Sequence, residues 1–195
     1  MDDFLLAWQH FHPAARPINN LVRDDENSRW LRFHSLPESE RYADADAEKA
    51  MILSRQLVLA AETIGEGVAC WLISWIYVPD PTEDEQSDDV DPWRGNHLRL
   101  ARDWGLKPVW RIDVPEDECR YDIYVALVTW QSSVFDVLLR SIADDEVRAM
   151  WMSAETGSIF APYDGGTDLI LPDTADIVRL SAEHSDWLSS YPGGW

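Results

Sequence analysis

The densest group of side chains able to bind or catalyse lies in residues 29–42, RWLRFHSLPESERY. Arg32, His34, Ser35 and Arg41 bring two guanidiniums, an imidazole and a hydroxyl to what reads as the end of a short strand. Strand ends and the loops beyond them are where a rigid scaffold presents ligand-contacting groups. His34 and Ser35 do not pair as base and nucleophile, because adjacent strand residues point to opposite faces. The alternative reading is a structural strand-to-loop transition in which Arg41 pairs with a local acid. A second group, Tyr163, Asp164 and Asp168 in PYDGGTD, holds two acids four residues apart around glycines that allow positive φ. As structure this is a β-turn with Asp164 making local hydrogen bonds; as function it is a loop presenting three side chains to a ligand or partner. A catalytic or ligand-binding role requires His34, Arg41 and Asp164 to converge on one cleft.

Other chemistry is poorly represented. His10 and His12 are two apart at a helix end, where they do not share a face, and the five histidines show no zinc spacing. The acids of residues 80–92 lack the glycine and terminal glutamate spacing of a calcium loop. No phosphate-cradling or dinucleotide glycine pattern and no nucleophile elbow occurs. The sequence therefore leads to the expectation of no cofactor, no metal and no catalytic motif.

Charge dominates the composition of the 195 residues. Thirty-six Asp and Glu against sixteen Lys and Arg give a net charge of -20. One reading is a solubility device; the other is complementarity to a basic protein partner, since opposed fields speed encounter. Direct nucleic-acid binding is disfavoured, because it wants clustered Lys and Arg. No apolar run is long enough to span a membrane. Met1–Phe4 lacks the positive segment of a secretory signal, and Cys70 and Cys119 read as buried reduced thiols, so a cytoplasmic protein is expected. A bridge between the two cysteines stays open, since pairing depends on geometry. Eleven tryptophans suit cores and interfaces equally.

The elements that must position these groups follow from periodicity. Helical spacing predicts helices over 2–11, 46–64, 93–107, 134–142 and from Pro172 to about 190, the last capped by Asp173 or Thr174. Strands are expected over 29–34, 68–78, 109–114, 121–130, 149–154, 158–161 and 168–171. Residues around Asn19–Glu26 read as a polar stretch and 115–118 as an acidic turn. Residues 80–92 carry seven acids and two prolines and read as an exposed acidic loop, with Asp84, Glu85, Asp88 and Asp89 its partner-facing candidates. Helices not alternating strictly with strands imply one α+β domain: a mixed, mostly antiparallel sheet with helices on one face.

The run RWLRFHSLPESERY with the Ala- and Glu-rich segment after it, IFAPYDGGTDLIL, and the closing SDWLSSYPGGW resemble a small bacterial family of unknown function. The likeness covers about the first third and last fifth of the chain. It implies a bacterial origin and a shared fold, and no catalytic residues. In size and acidity the chain is similar to immunity and antitoxin proteins. The expectation is a non-enzymatic acidic binding protein, an inhibitor of a basic partner. The alternative is a small enzyme or ligand-binding domain built on residues 29–42 and the 162–168 turn.

Overall fold

The computed structural model describes residues 2–25, 29–36, 46–79, 93–114 and 119–188. Among the described residues there are six α-helices: α1 (Asp2–Phe11), α2 (Asn19–Asp25), α3 (Asp46–Thr63), α4 (Arg94–Asp103), α5 (Ser132–Ala143) and α6 (Thr174–Glu183). Seven strands accompany them: β1 (Trp30–His34), β2 (Ala69–Pro79), β3 (Lys107–Val114), β4 (Cys119–Thr129), β5 (Ala149–Ser153), β6 (Ile159–Tyr163) and β7 (Gly166–Ile170). The strands form one sheet in the order β1-β7-β6-β5-β2-β4-β3. Every pairing is antiparallel, so the α+β class is as expected and the sheet is not mixed.

The helices cover both faces of this sheet, not one. β2 is apolar at both parities, as a strand covered on both sides must be. Its even positions Cys70 and Leu72 join a core with α3, α4, α5 and α6 that centres on Trp130, Phe135, Trp151 and Phe160. Ile73 and Trp75 join a second core with Phe4 and Trp8 of α1 and Leu21 and Val22 of α2. Trp130 and Trp151 are wholly buried and meet edge-on at 5.2 Å, and Phe135 stacks on Trp130 at 4.9 Å. The polar stretch expected around residues 19–26 contains helix α2 instead. Its seven residues are too few to display a helical period, and it is held by burying Leu21 and Val22.

Local signals explain other boundaries. The Asp173 carboxylate caps α6, accepting hydrogen bonds from the backbone N–H of Ala175 and Asp176. α6 stops at Glu183 and a single 3-10 turn, Ser185–Trp187, follows, so the last helix is shorter than expected. The segment expected to be helical to Lys107 ends at Asp103, where Gly105 takes φ +66° and Lys107 starts β3. Cys70 and Cys119 are buried free thiols belonging to different cores. Burial pushes the Cys70 thiol up to about 12, although a backbone hydrogen bond involving Trp130 opposes it. The acidic loop 80–92, the turn 115–118 and Arg41 lie outside the described residues.

Candidate functional site

The sheet splits at one end. β6 pairs with β5 only through Phe160 and Ile159, and its second half pairs with β7 alone. Pro162, with no N–H to donate, occupies that half. The split opens into a cleft of about 800 Å³ on the face that carries α1 and α2. Arg32, His34, Tyr163, Asp164 and Asp168 all line it. Two segments 130 residues apart are thus brought together because β1 lies beside β7 in the sheet.

Register decides how these side chains meet. Arg32 is directly opposite Asp168, and His34 opposite Gly166, which in turn faces Tyr163 across the hairpin. The Arg32 guanidinium donates from Nε to Asp168 Oδ1 at 2.8 Å and from Nη2 to Oδ2 at 2.9 Å. Trp30 Nε1 also donates to Asp168 Oδ1 at 2.9 Å, giving this 3%-exposed carboxylate three donors. Arg32 packs over the rings of Trp30 and Tyr163, at 5.2 and 5.4 Å. Burial works against its charged form, but the hydrogen bond and charge of Asp168 outweigh it, so the Arg32 pKa is raised.

His34 is the opposite case. It is only 9% exposed, and its Nε2 is buried without a hydrogen-bond partner. Desolvation first, and then the neighbouring Arg32 charge, lowers its pKa, with Asp168 opposing, which keeps the imidazole neutral near pH 7. Asp164, which lines the same cleft, is 7% exposed and has no hydrogen bond or ion pair with another described residue. The local hydrogen bonds expected of Asp164 are therefore not formed.

The backbone carrying these groups is pinned from behind by α3. Arg55 donates to the His34 carbonyl at 3.0 Å and Gln56 to the Tyr163 carbonyl at 3.1 Å. Ser35, whose N–H donates to the Gly165 carbonyl at 3.1 Å, ties β1 to the turn and is itself buried. The turn is tighter than expected: β6 and β7 continue to Tyr163 and Gly166, leaving Asp164 and Gly165 between them. Gly166 is required for space and not for positive φ. A Cβ there would collide with the Phe33 carbonyl oxygen and lie 2.8 Å from the Tyr163 hydroxyl.

The other wall was not foreseen. Asn19, Asn20 and Arg23 come from one side of α2, Trp75 and Tyr121 from β2 and β4, and Arg148 from just before β5. The spacing Asn19, Asn20, Arg23 is a helix-face signal, visible only once α2 is known to be a helix. Nothing local in the sequence marks Arg148. Arg23 pairs with Asp24 at 2.8 Å, and Arg148 stacks over Trp93 at 4.0 Å.

Two other polar pairs invite a catalytic reading and do not support one. Ser74 and His97 are buried together, with Oγ and Nδ1 2.8 Å apart, on the sheet face opposite the cleft. The Ser74 hydroxyl donates its proton to the Arg148 carbonyl at 2.9 Å and so accepts from His97, the reverse of what an activated nucleophile needs. His12 bridges the Gly157 carbonyl at 2.7 Å and Arg29 at 3.1 Å, fastening the end of α1 to the β5–β6 hairpin, while His10 is exposed. Glu62, Glu183 and His184 are the metal-sized donor cluster among the described residues. Its members are engaged: His184 with Glu62 at 2.7 Å, and Glu183 with Arg179 at 2.8 Å.

The fold and site define an α+β domain with a polar cleft at a split sheet end. The chain belongs to the DUF3885 family, a domain of unknown function, whose family model matches residues 18–192. The match takes in β1, the 162–168 turn and α2, and leaves α1 outside it. No curated protein and no solved structure matches the chain.

Proposed function

We propose that this is a ligand-binding domain whose cleft takes a small polar molecule, recognised by Arg32, His34 and Asp164. One observation carries the reading: His34 lines a cleft of about 800 Å³, and its Nε2, closed off from solvent, has no hydrogen-bond partner. An unmet hydrogen bond at a buried group costs about 1–3 kcal/mol, and a ligand supplying it recovers that cost. Among the described residues Ser35 is not one of those lining the cleft with His34, which supports binding over catalysis. The reading is tested by screening thermal stability against a small-molecule library in the wild type and in His34→Phe. Compounds that stabilise the wild type and not the variant are expected; a library in which no hit depends on His34 would overturn it.

A second reading keeps the net charge of -20 as its support: an acidic binder of a basic partner, of the immunity type, in a bacterial cytoplasm. Neutralising Asp84, Glu85, Asp88 and Asp89 together should then slow association with that partner and flatten its salt dependence while the fold persists. Loss of the fold in that variant would show the segment to be structural, and unchanged association would remove it as the partner surface.

A further inference from the structure

We infer that the ligand is a neutral, polyhydroxylated molecule of sugar-ring size; the inference rests on the cleft being a ligand site. Residues with open valences line it, among them Asn19 on the α2 side, whose buried Oδ1 has no hydrogen-bond partner. The His34 Nε2 and the Asp164 carboxylate await partners, and the Nη1 end of Arg32 makes no hydrogen bond among the described residues, because Asp168 takes Nε and Nη2. Asp164 needs donors and Arg32 needs acceptors. A hydroxyl serves as both, so a set of ring hydroxyls satisfies groups of opposite demand lining one cleft without any net charge.

Charge points the same way. Three arginines and three aspartates line the cleft and balance, and a neutral His34 adds nothing. Arg32 is neutralised by Asp168 and Arg23 by Asp24, which leaves Arg148 at the exposed rim. An anion would approach a chain of charge -20 for little local return. A cation would be drawn by that same field and then meet three guanidiniums. Trp75, Tyr121 and Tyr163 supply aromatic walls, whose electron-rich faces attract the weakly positive C–H groups of a sugar ring. Arg32 and His34 are two apart on one strand face, roughly 7 Å, a span that a single ring with its substituents bridges.

The test is calorimetric titration of the full chain with glucose, galactose, N-acetylglucosamine and lactose, with glucose 6-phosphate and spermidine as charged comparators. At least one neutral sugar should bind saturably. Its affinity should fall about tenfold or more in Asp164→Asn and in His34→Phe, and stay level in Arg179→Ala, which lies outside the cleft. Salt between about 0.05 and 0.5 M should change it little. Circular dichroism of each variant reports whether its fold is retained, and Asp164→Asn preserves shape while altering acceptor strength. Binding confined to glucose 6-phosphate or spermidine, and lost in the two cleft variants, overturns the ligand class and leaves the ligand site standing. A sugar that binds all variants equally overturns the inference outright. Silence from every probe does so too, and the library screen then decides the cleft itself.

Discussion

The two faces of the sheet use histidine in opposite ways. On the face under α3 to α6, His97 sits against Ser74, which passes its own proton to the Arg148 carbonyl, so the buried serine hydroxyl is satisfied as donor and acceptor. On the face under α1 and α2, His34 is nearly as buried and lines a cleft, but its Nε2 meets no partner. Neither burial nor an unmet hydrogen bond by itself separates structural from functional groups, since Trp130 Nε1 and Trp151 Nε1 in the closed core are also without partners; His34 differs in that it lines a cleft. A closed network stabilises the fold. An open one costs stability, and where it lines a cleft a ligand can complete it.

Substitutions on the two faces sharpen this contrast, beginning with the strongest. Trp151→Ala removes the wholly buried centre of the closed face, where Trp130, Phe135 and Phe160 all contact it, and should cost about 3–5 kcal/mol in urea unfolding. An equal loss from a substitution at the cleft would show that the open face carries as much of the core.

Asp168→Asn probes a saturated group of the cleft, a carboxylate holding three donors. It leaves Arg32, with a side chain only 14% exposed, without its counter-charge, and about 3 kcal/mol of destabilisation is expected. Unfolding midpoints measured beside those of Trp151→Ala would rank the two.

Ser74→Ala and His34→Phe are the direct comparison. Removing Ser74 strands the His97 Nδ1 and a carbonyl and should cost about 1–3 kcal/mol. Replacing His34 deletes a group already without a partner, so His34→Phe should be neutral or stabilising by up to about 1 kcal/mol. Destabilisation by His34→Phe matching that of Ser74→Ala would erase the distinction between the faces.

The smallest effect is in pH. Burial and Arg32 hold the His34 pKa below its ordinary 6.5, so around and below that pH the unfolded chain binds more protons than the folded one. Stability from this group is full above pH 6.5 and is lost as pH falls from there through the lowered folded value. The difference in unfolding free energy between wild type and His34→Phe should therefore shift against the wild type on acidification. An NMR titration of His34 with a midpoint at or above 6.5 would contradict this.

Much of the architecture was legible locally. The alternation and length of the apolar runs mark all seven strands, and the position of Asp173 marks the start of α6. The apolar run of β2 marks it as a central strand, although the cover on both its sides was not legible from it. What escaped was α2, whose seven residues carry two buried apolar side chains and no measurable period. The site was legible in part. Arg32, His34, Tyr163, Asp164 and Asp168 stand out by type, whereas Trp75 reads as core and Arg148 reads as nothing in particular.

By itself the sequence determined the α+β class, the seven strands and every helix but α2 within several residues, and the two segments worth watching. Those features depend on side-chain periodicity and backbone preference over a handful of neighbours. Tertiary structure alone decided that β1 lies against β7, that Arg32 falls opposite Asp168, and that helices cover both faces. It also decided that β5 and β6 part after two paired residues to open the cleft. Strand order and register arise from pairings far apart in the chain, and a shift of one residue would turn Arg32 and His34 to the other face. The same residues would then have had no cleft to share.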